Sequence, residues 1–349
     1  MAKLPSAFFF GSCDGVMPSL LTYRRIRQIL NEMENIFDHT RRPDADLLFT
    51  RNDPNDPRLG EVVHTEPERY ERSQIVIVGC PQDEGVKRNG GRPGAAEAPS
   101  AVRRQFYKLT PFNLKRSVFD LGNVTVEGTL EEIHDRLKAV VTQLLKDDKR
   151  VIILGGGNDI SYADGSAMSD VYGAKGWIGI NVDSHLDVRL AEQRNSGTPY
   201  RQLLDEGLLV PTNFYEVGYQ SHYCSPVYYD YIRRLGVNRM SLEMVRSRAA
   251  ADLELKDAIT QKFIGQSSSV STFFGFDMDV VRSADAPGTS APSPLGLRAG
   301  EFIQIVKYAA SLAHTRIVEF TEVNPKFDVD DRTAKLVAIA MHRFCTGTE

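Results

Sequence analysis

The chain lacks the features that define several classes of protein. It has no apolar run near the roughly 20 residues that span a bilayer, and Ala7–Phe10 is too short for a signal-peptide core. Lys and Arg (42) nearly balance Asp and Glu (46) without a basic stripe, which argues against a nucleic-acid partner. The four cysteines are widely spaced and form neither a CxxC pair nor a disulfide framework, which favours a reducing, cytoplasmic location.

Apolar runs alternate with amphipathic stretches, and this pattern predicts an α/β protein with a mostly parallel sheet covered by helices on both faces. The 349 residues, 42% of them apolar, can form one large domain or two smaller ones. Because no repeat or low-complexity tract divides the chain, we expect one domain over residues 1–349. Residues 1–70 would be an N-terminal extension, with a helix at Leu20–Phe37 followed by an irregular segment to about Thr65.

Six strands and two helices are predicted from these patterns. The strands are Gln74–Cys80, Arg150–Leu154, Trp177–Val182, Asn213–Val217, Thr272–Asp277 and Ile317–Val323, and the helices are Leu130–Asp147 and Thr333–Phe344.

The stretch NVDSHLDVR has metal-binding residue types at every second position. Asp183, His185 and Asp187 follow a predicted buried strand. Side chains alternate along an extended chain, so the three would share one face beyond the carboxyl end of that strand, where open α/β sheets bind ligands. A solvated loop with Asx turns or a helix cap explains any one of these residues but not the triplet. We therefore expect all three to bind a polyvalent cation.

A second acidic pair ends another predicted strand. Asp277 and Asp279, in FDMDVV, are again two residues apart. The four carboxylates of the two strands carry about four negative charges, which two divalent ions would balance, and an oxygen-rich set favours Mn²⁺ or Mg²⁺ over Zn²⁺. Two such ions, roughly 3.5–4 Å apart, can lower the pKa of a bridging water and present hydroxide as the nucleophile. The pattern predicts a two-metal hydrolytic site.

Five stretches between Val76 and Phe344 resemble the ureohydrolases, the family of arginase, agmatinase and formiminoglutamase. They are GCPQDEGVKRNGGRPGA, GGGND, NVDSHLDVR with SGTPYRQ, FDMDVV with APGTSAPSPLGL, and EFTEVNP. The resemblance implies a three-layer α/β/α sandwich with a mostly parallel sheet of about eight strands. It also implies two Mn²⁺ ions per subunit and a homotrimer or hexamer.

The resemblance assigns a role to each predicted metal ligand. Asp183 and Asp277 would bridge both ions, and Asp187 would bind the ion called A. His185 and Asp279 would bind the second ion, B. Asp187 could also relay a proton to the leaving group, because it is both a ligand and close to the bridging water.

One position departs from the family pattern. Where ureohydrolases usually have a histidine after the glycine run, this chain has Asn158. An amide oxygen is a weaker ligand than imidazole, so Asn158 as the sixth ligand implies a weak A site. The alternatives are an enzyme with a loosely held second ion and a metal-poor pseudoenzyme that regulates a true ureohydrolase. Four carboxylates without cations would repel one another, which favours the active enzymes.

A further acid and the loop after Asp187 indicate the substrate. Glu322 matches the family carboxylate that orients the amidine or guanidine group, with a buried structural acid as the alternative. The compact loop with Arg189 resembles that of formiminoglutamases, not the longer loop of arginases. N-formimino-L-glutamate has two carboxylates, which guanidinium groups bind bidentately, whereas arginine and agmatine are net cations.

We therefore expect manganese-dependent hydrolysis of N-formimino-L-glutamate to L-glutamate and formamide, as in histidine degradation. Another guanidino or amidino compound is the alternative substrate. Each candidate arginine could instead be a surface or ion-pair residue, and the candidate histidine could be structural. The expected substrate-binding residues are Arg189, Asn195, Ser196, Thr198 and Arg201, with Arg88 and Arg92 as further clamps and His222 as a proton shuttle.

Overall fold

The computed structural model describes residues 36–249 and 270–347. Within these ranges nine strands form one sheet in the order β1-β3-β2-β4-β9-β8-β5-β6-β7, and every neighbouring pair is parallel except β1 with β3. The strands are β1 (Thr40–Arg41), β2 (Ile75–Gly79), β3 (Val118–Val124), β4 (Arg150–Leu154), β5 (Trp177–Val182), β6 (Phe214–Tyr219), β7 (Asn238–Ser241), β8 (Ser271–Asp277) and β9 (Thr315–Thr321).

Helices follow most strands along the chain, as expected for parallel crossovers. No helix in the described ranges is both long and apolar enough to cross a membrane. The helices are α1 (Leu59–Val62), α2 (Glu84–Arg88), α3 (Ala98–Phe106), α4 (Leu130–Lys146), α5 (Ser161–Tyr172), α6 (Pro199–Asp205), α7 (Pro226–Leu235), α8 (Leu242–Ala249), α9 (Ala299–Ser311) and α10 (Arg332–Thr346).

The central strands are apolar on both sides, and this is why helices cover both faces of the sheet. In β2, Ile75 and Ile77 pack into one core with helices α3, α8, α9 and α10. Val76 and Val78 point the other way and pack with helices α4 to α7. The result is the expected three-layer α/β/α sandwich with a mostly parallel sheet.

All six predicted strands and the helices predicted at Leu130–Asp147 and Thr333–Phe344 are confirmed, with no bound displaced by more than two residues. Strands β1, β3 and β7 are not predicted. The segment to Thr65, expected to be irregular, in fact contains β1, which pairs antiparallel with β3. The helix predicted at Leu20–Phe37 lies outside the described residues except for Ile36 and Phe37, which are helical.

Two residues explain why β3 has no clear apolar pattern. Asp120 is fully buried and accepts hydrogen bonds from Nε and Nη2 of Arg103 at 2.8 and 2.9 Å, and from the hydroxyl of Tyr107. Gly122 has φ of 89°, and a Cβ there would collide with the carbonyl oxygen of Arg41 in β1. The buried charge of Asp120, paired by Arg103 of α3, and Gly122, which the close approach of β1 requires, both interrupt the run of apolar residues that would have predicted this strand.

We expect Arg103→Ala to lower the free energy of unfolding by about 3–5 kcal/mol, because the change leaves the buried Asp120 carboxylate without its cation. Urea denaturation measures the loss. The neighbouring Arg104 is exposed and is the matched control: Arg104→Ala should change stability by less than about 0.5 kcal/mol. Equal effects of the two changes would show that the buried pair contributes no more than a surface arginine.

Candidate active site

Four adjacent strands in the middle of the sheet bring polar side chains to the same edge. Asn158 lies beyond β4, Glu322 follows β9, Asp277 ends β8 and Asp183 follows β5, and these strands are neighbours in the order β4-β9-β8-β5. The carboxyl ends of parallel strands meet at one edge, so residues far apart in sequence form one cluster there.

The carboxylates and the histidine form two groups that fit divalent ions. Ligand atoms of Asp183, His185 and Asp279 lie within 4.8 Å of one another, and so do those of Asp183, Asp187 and Asp277. Asp183 belongs to both groups, so two ions would lie side by side. The structure thus brings together the five predicted ligands that carry a carboxylate or an imidazole.

Backbone amides fix the orientation of two of these carboxylates. The His185 N–H donates to Oδ1 of Asp183 at 2.7 Å, and the Asp279 N–H donates to Oδ1 of Asp277 at 2.9 Å. Nδ1 of His185 lies 3.1 Å from Oδ2 of Asp279. In each pair, the residue two positions later therefore contributes twice: its side chain is a candidate ligand, and its backbone N–H orients the carboxylate of the first residue.

The electrostatics of this cluster fit a cation site. Burial raises the pKa of Asp187 and Asp277 well above the usual value, and neighbouring carboxylates raise it further. The charge of Asp279 raises the pKa of His185. Buried carboxylates this close can all be ionised only when cations balance their charge, so the donor set fits two divalent ions.

Asn158 is fully buried, and hydrogen bonds hold its carboxamide on both sides. Nδ2 donates to Oδ2 of Asp187 at 2.6 Å. Oδ1 accepts from the hydroxyls of Ser161 at 3.1 Å and Thr321 at 2.8 Å. In this orientation the nitrogen, not the oxygen, faces the carboxylates, so coordination by Asn158 would require the amide to rotate.

Glu322 is buried beside the metal-type cluster but belongs to neither group of ligands. Its Oε1 accepts from the Asn158 N–H at 2.9 Å, while the buried Oε2 has no hydrogen-bond partner in the described part of the chain. Its φ of 62° is strained for a residue other than glycine, as is common at functional sites. Burial raises the pKa of Glu322 to about 8.

A cavity of about 270 Å³ opens onto the cluster. Its size is near the lower end of pockets that hold small molecules. The residues that line it include His185, Asp187, Asp277, Asp279 and Glu322 of the cluster, and also Asn89, Arg189, Ser196, Tyr223 and Tyr228.

Comparison with known proteins assigns the family. The model of the arginase family matches residues 73–346. The chain belongs to the arginase family. As a member of this family it is a hydrolase that acts on carbon–nitrogen bonds of amidines.

Similar proteins share most of their length with this arginase-family chain. Formimidoylglutamase of Macrococcus caseolyticus is 33% identical over 295 residues, covering 82% of this chain and 90% of the relative. A structure of Trypanosoma cruzi formiminoglutamase with Mn²⁺ is 34% identical, with a TM-score of 0.76, and the match covers 84% of this chain and 98% of that one. Formimidoylglutamase of Bacillus subtilis, 24% identical with a TM-score of 0.77 over 85% and 93% of the two chains, shares the fold.

Two predicted substrate-binding residues of this arginase-family member, Arg189 and Ser196, line the cavity. Within residues 36–249 and 270–347, the Arg189 guanidinium has no hydrogen bond or ion pair. Asn195 and Thr198 do not line the cavity. Oδ1 of Asn195 accepts from the Gly197 N–H at 3.0 Å, and the Thr198 hydroxyl donates to the Asn195 carbonyl at 2.9 Å. These two side chains shape the loop that presents Ser196.

Two other candidate arginines lie outside the cavity. Arg201 forms an ion pair with Asp205, and its guanidinium lies 3.9 Å from the ring centre of Tyr231. Arg88 forms an ion pair with Glu131 at 2.7 Å. The structure therefore places both as ion-pair residues, which was the alternative to a carboxylate clamp.

Arg92 and His222 are also not among the residues that line the cavity. Arg92 donates to the carbonyl of Ser290 at 3.1 Å and lies 4.0 Å from the ring centre of Phe327, so it joins two loops. His222 is exposed and lies against Tyr223, 4.4 Å between ring centres.

Among the residues of the cavity wall that sequence reasoning missed are Asn89, Tyr223 and Tyr228. Both Asn89 and Tyr223 lie beside residues that the sequence did single out. Asn89 lies inside the first family-like stretch, and Tyr223 directly follows His222. The signal that marks Asn89 is a contact of the folded chain, in which its Nδ2 donates to the Ser196 hydroxyl at 3.0 Å. Sequence reasoning has no access to such a contact.

Proposed function

We propose that this protein hydrolyses N-formimino-L-glutamate to L-glutamate and formamide. The observation that carries the proposal is the unpaired guanidinium of Arg189 in the wall of the cavity that also contains the acidic cluster. A substrate with an amidine and nearby carboxylates matches this distribution of charge. The names of the similar enzymes from M. caseolyticus and T. cruzi support the same substrate.

Five side chains would hold two Mn²⁺ ions: Asp183, His185, Asp187, Asp277 and Asp279. The amide oxygen of Asn158, once the amide has rotated, would be the sixth ligand. The ions would supply a polarised water molecule of lowered pKa. Four carboxylates and one imidazole form an oxygen-rich set, which suits Mn²⁺ better than Zn²⁺. The presence of Mn²⁺ in the T. cruzi structure supports this choice of metal.

The protein side chains orient the substrate and move protons. The unpartnered Oε2 of Glu322 would accept an N–H of the amidine, and the Asn158 N–H fixes the other carboxylate oxygen. Arg189 and the Ser196 hydroxyl, which line the same cavity, would bind a substrate carboxylate. Asp187 would pass a proton to the leaving amino nitrogen as the tetrahedral intermediate collapses.

The direct test is release of formamide and glutamate from N-formimino-L-glutamate, with and without Mn²⁺, with bound metal counted on the same sample. We expect Mn²⁺-dependent turnover, with arginine, agmatine and a guanidino acid as comparison substrates. Two bound ions without turnover would point to another amidine substrate. If the protein showed no bound ions and no turnover, the result would contradict the proposed enzyme activity and favour a pseudoenzyme.

We expect Arg189→Ala to raise KM for N-formimino-L-glutamate about 10–100-fold with a much smaller change in kcat, because a charged hydrogen bond contributes about 1.5–3 kcal/mol. Steady-state kinetics measure the split. Arg201→Ala is the matched control, since Arg201 lies in helix α6, which follows the loop of Arg189, and pairs with Asp205. If Arg201→Ala raised KM as much as Arg189→Ala, the clamp would be assigned to the wrong arginine.

We also propose that residues 1–349 form one cytoplasmic domain that assembles as a homotrimer or hexamer, with residues 1–70 packed on it. Burial of Leu47 and Leu59 in the core supports the packing of this extension. The described cysteines Cys80, Cys224 and Cys345 are free, which fits a reducing compartment. Light scattering of the full chain would determine the number of subunits.

A further inference from the structure

Gln220 is a fully buried amide that directly follows strand β6. Its Nε2 donates one proton to Oγ of Ser184 at 2.9 Å and the other to the Leu295 carbonyl at 3.1 Å. Its Oε1 accepts from the hydroxyl of Ser293 at 3.5 Å. A carbonyl oxygen only accepts, so Leu295 determines which end of the amide is the nitrogen. Gln220 therefore connects the loop after β5 with the loop that contains Ser293 and Leu295.

Ser184 lies between two predicted ligands, Asp183 and His185, and its hydroxyl reaches a third. Oγ of Ser184 accepts from Gln220 and donates its single proton to the Asp279 carbonyl at 2.9 Å. The Gln220 N–H also donates to the Ser184 carbonyl at 2.9 Å. These hydrogen bonds join the end of β6 to the loops after β5 and β8. The two loops supply the whole group of Asp183, His185 and Asp279.

The path of hydrogen bonds also continues to the cavity. The Ser293 hydroxyl, which donates to Gln220, accepts from the Tyr223 hydroxyl at 3.2 Å. The Tyr223 ring lies beside the imidazole of His185, with 5.4 Å between ring centres. Each serine hydroxyl has one proton and donates it onward, so the hydrogen bonds run in one direction, from the cavity to the loop after β8.

A glycine lets the end of β6 lie close to the loop after β8. Gly218 has φ of 94°, and the pairing of β6 with β7 shifts register beside it. A Cβ on Gly218 would lie 2.8 Å from Cγ2 of Val280, the residue after Asp279. Glycine avoids both this close contact and the strained conformation. It therefore allows Gln220, two residues later, to lie against both ligand loops.

The two loops need such a connection because their carboxylates repel each other. Asp183 and Asp279 are buried, and their ligand atoms lie within 4.8 Å of one another. Without cations, the two charges would push the loops apart. An ion that had to draw the loops together again would bind less tightly, because reorganisation costs free energy that rigid ligands do not require.

We propose that Gln220 and Ser184 are positioning residues that hold Asp183, His185 and Asp279 in place for ion B. In residues 36–249 and 270–347, neither side chain hydrogen-bonds to Asp187 or Asp277. The effect on ion A is therefore small. This inference rests on the proposed metal site but not on the identity of the substrate.

The test is a calorimetric titration of the metal-free full chain with Mn²⁺, comparing wild type with Gln220→Met and Ser184→Ala. Methionine has nearly the length of glutamine but has no N–H to donate, and alanine removes only the Ser184 oxygen. We expect each change to weaken ion B about five- to tenfold and ion A less than about twofold. The double variant should bind ion B about as the weaker single variant does, because both changes break the same path.

Two further variants interpret the titration. Asp279→Asn changes only the second group of ligands, so it identifies the binding event of ion B. Asn213→Leu is the matched control, because Nδ2 of Asn213 also donates to two backbone carbonyls, those of Trp177 at 2.9 Å and Lys175 at 3.2 Å. These lie at the opposite end of β5, so this change should leave both affinities within about twofold of wild type. If Gln220→Met does not fold, Ser184→Ala is the deciding variant.

Each outcome has one meaning. Selective weakening of ion B, with Asn213→Leu close to wild type, would support the inference, even if wild type released no formamide and the proposed substrate were wrong. Wild-type affinity for ion B in Ser184→Ala would overturn the inference and leave the metal site in place. Equal weakening of both ions would also overturn it, because a general loosening of the site has that effect. No Mn²⁺ binding by wild type would overturn the proposed metal function and the inference with it.

Discussion

We expect Asp183→Asn to abolish binding of both proposed Mn²⁺ ions and to lower kcat/KM for the proposed substrate, N-formimino-L-glutamate, on the order of 10³-fold or more, because this carboxylate belongs to both groups of ligands. Asparagine has nearly the same shape and can still accept from the His185 N–H, so the loss reports on charge and coordination. The measurement is metal content after dialysis against excess Mn²⁺, together with the rate of formamide release.

Two further substitutions give this result its meaning. Asp279→Asn changes one group only, so it should weaken one ion and leave the other in place. Asp148→Asn changes an exposed carboxylate that pairs with Arg316 and should affect neither metal content nor rate. Full metal content in Asp183→Asn would show that Asp183 does not join the two ions.

Glu322→Gln is expected to lower kcat about 10²–10³-fold while two ions stay bound, since Glu322 lies in neither group of ligands. The glutamine oxygen can still accept from the Asn158 N–H, but the side chain no longer offers an anionic oxygen to the amidine. Formamide release and metal counting on the same sample test this. A parallel loss of metal would instead make Glu322 a ligand or a structural acid.

The same variant has a second signature in the ion-free protein. The pKa of Glu322 is raised by burial to about 8, above the unfolded value near 4.5. Between these values the unfolded state binds fewer protons, so this group lowers the free energy of unfolding as pH rises from about 4.5 to 8. Glu322→Gln should lose that dependence and gain on the order of a few kcal/mol over wild type between pH 5 and pH 8. If urea denaturation gave free energies of unfolding that changed with pH in parallel for wild type and Glu322→Gln, this prediction would be wrong.

The parts of the fold and site that the sequence predicted depend on local patterns. Strands β4 and β5 are short apolar runs with distinct ends, and their bounds were predicted without error. Asp183, His185 and Asp187 follow such a strand, so their convergence could be expected from chain geometry alone. The roles assigned to these ligands rest on the family-like stretches and stay predictions.

The parts that sequence could not predict depend on contacts between distant residues. β3 contains a buried aspartate that is tolerable only because Arg103 reaches it. Nothing local distinguishes Arg189, which lines the cavity, from Arg201, whose side chain finds Asp205 one helical turn later. The Thr321 hydroxyl, which donates to Oδ1 of Asn158, lies 163 residues further along the chain.

The placement of the ligands at the ends of separate strands also links the metal to folding. Asp183 follows β5 and Asp277 ends β8, and these two strands, distant in sequence, pair side by side in the native sheet. A partly folded chain lacks the complete set of ligands, so the proposed Mn²⁺ ions would bind the native state and shift the folding equilibrium toward it by mass action. Resistance to proteolysis should therefore rise with the concentration of free Mn²⁺, even without substrate.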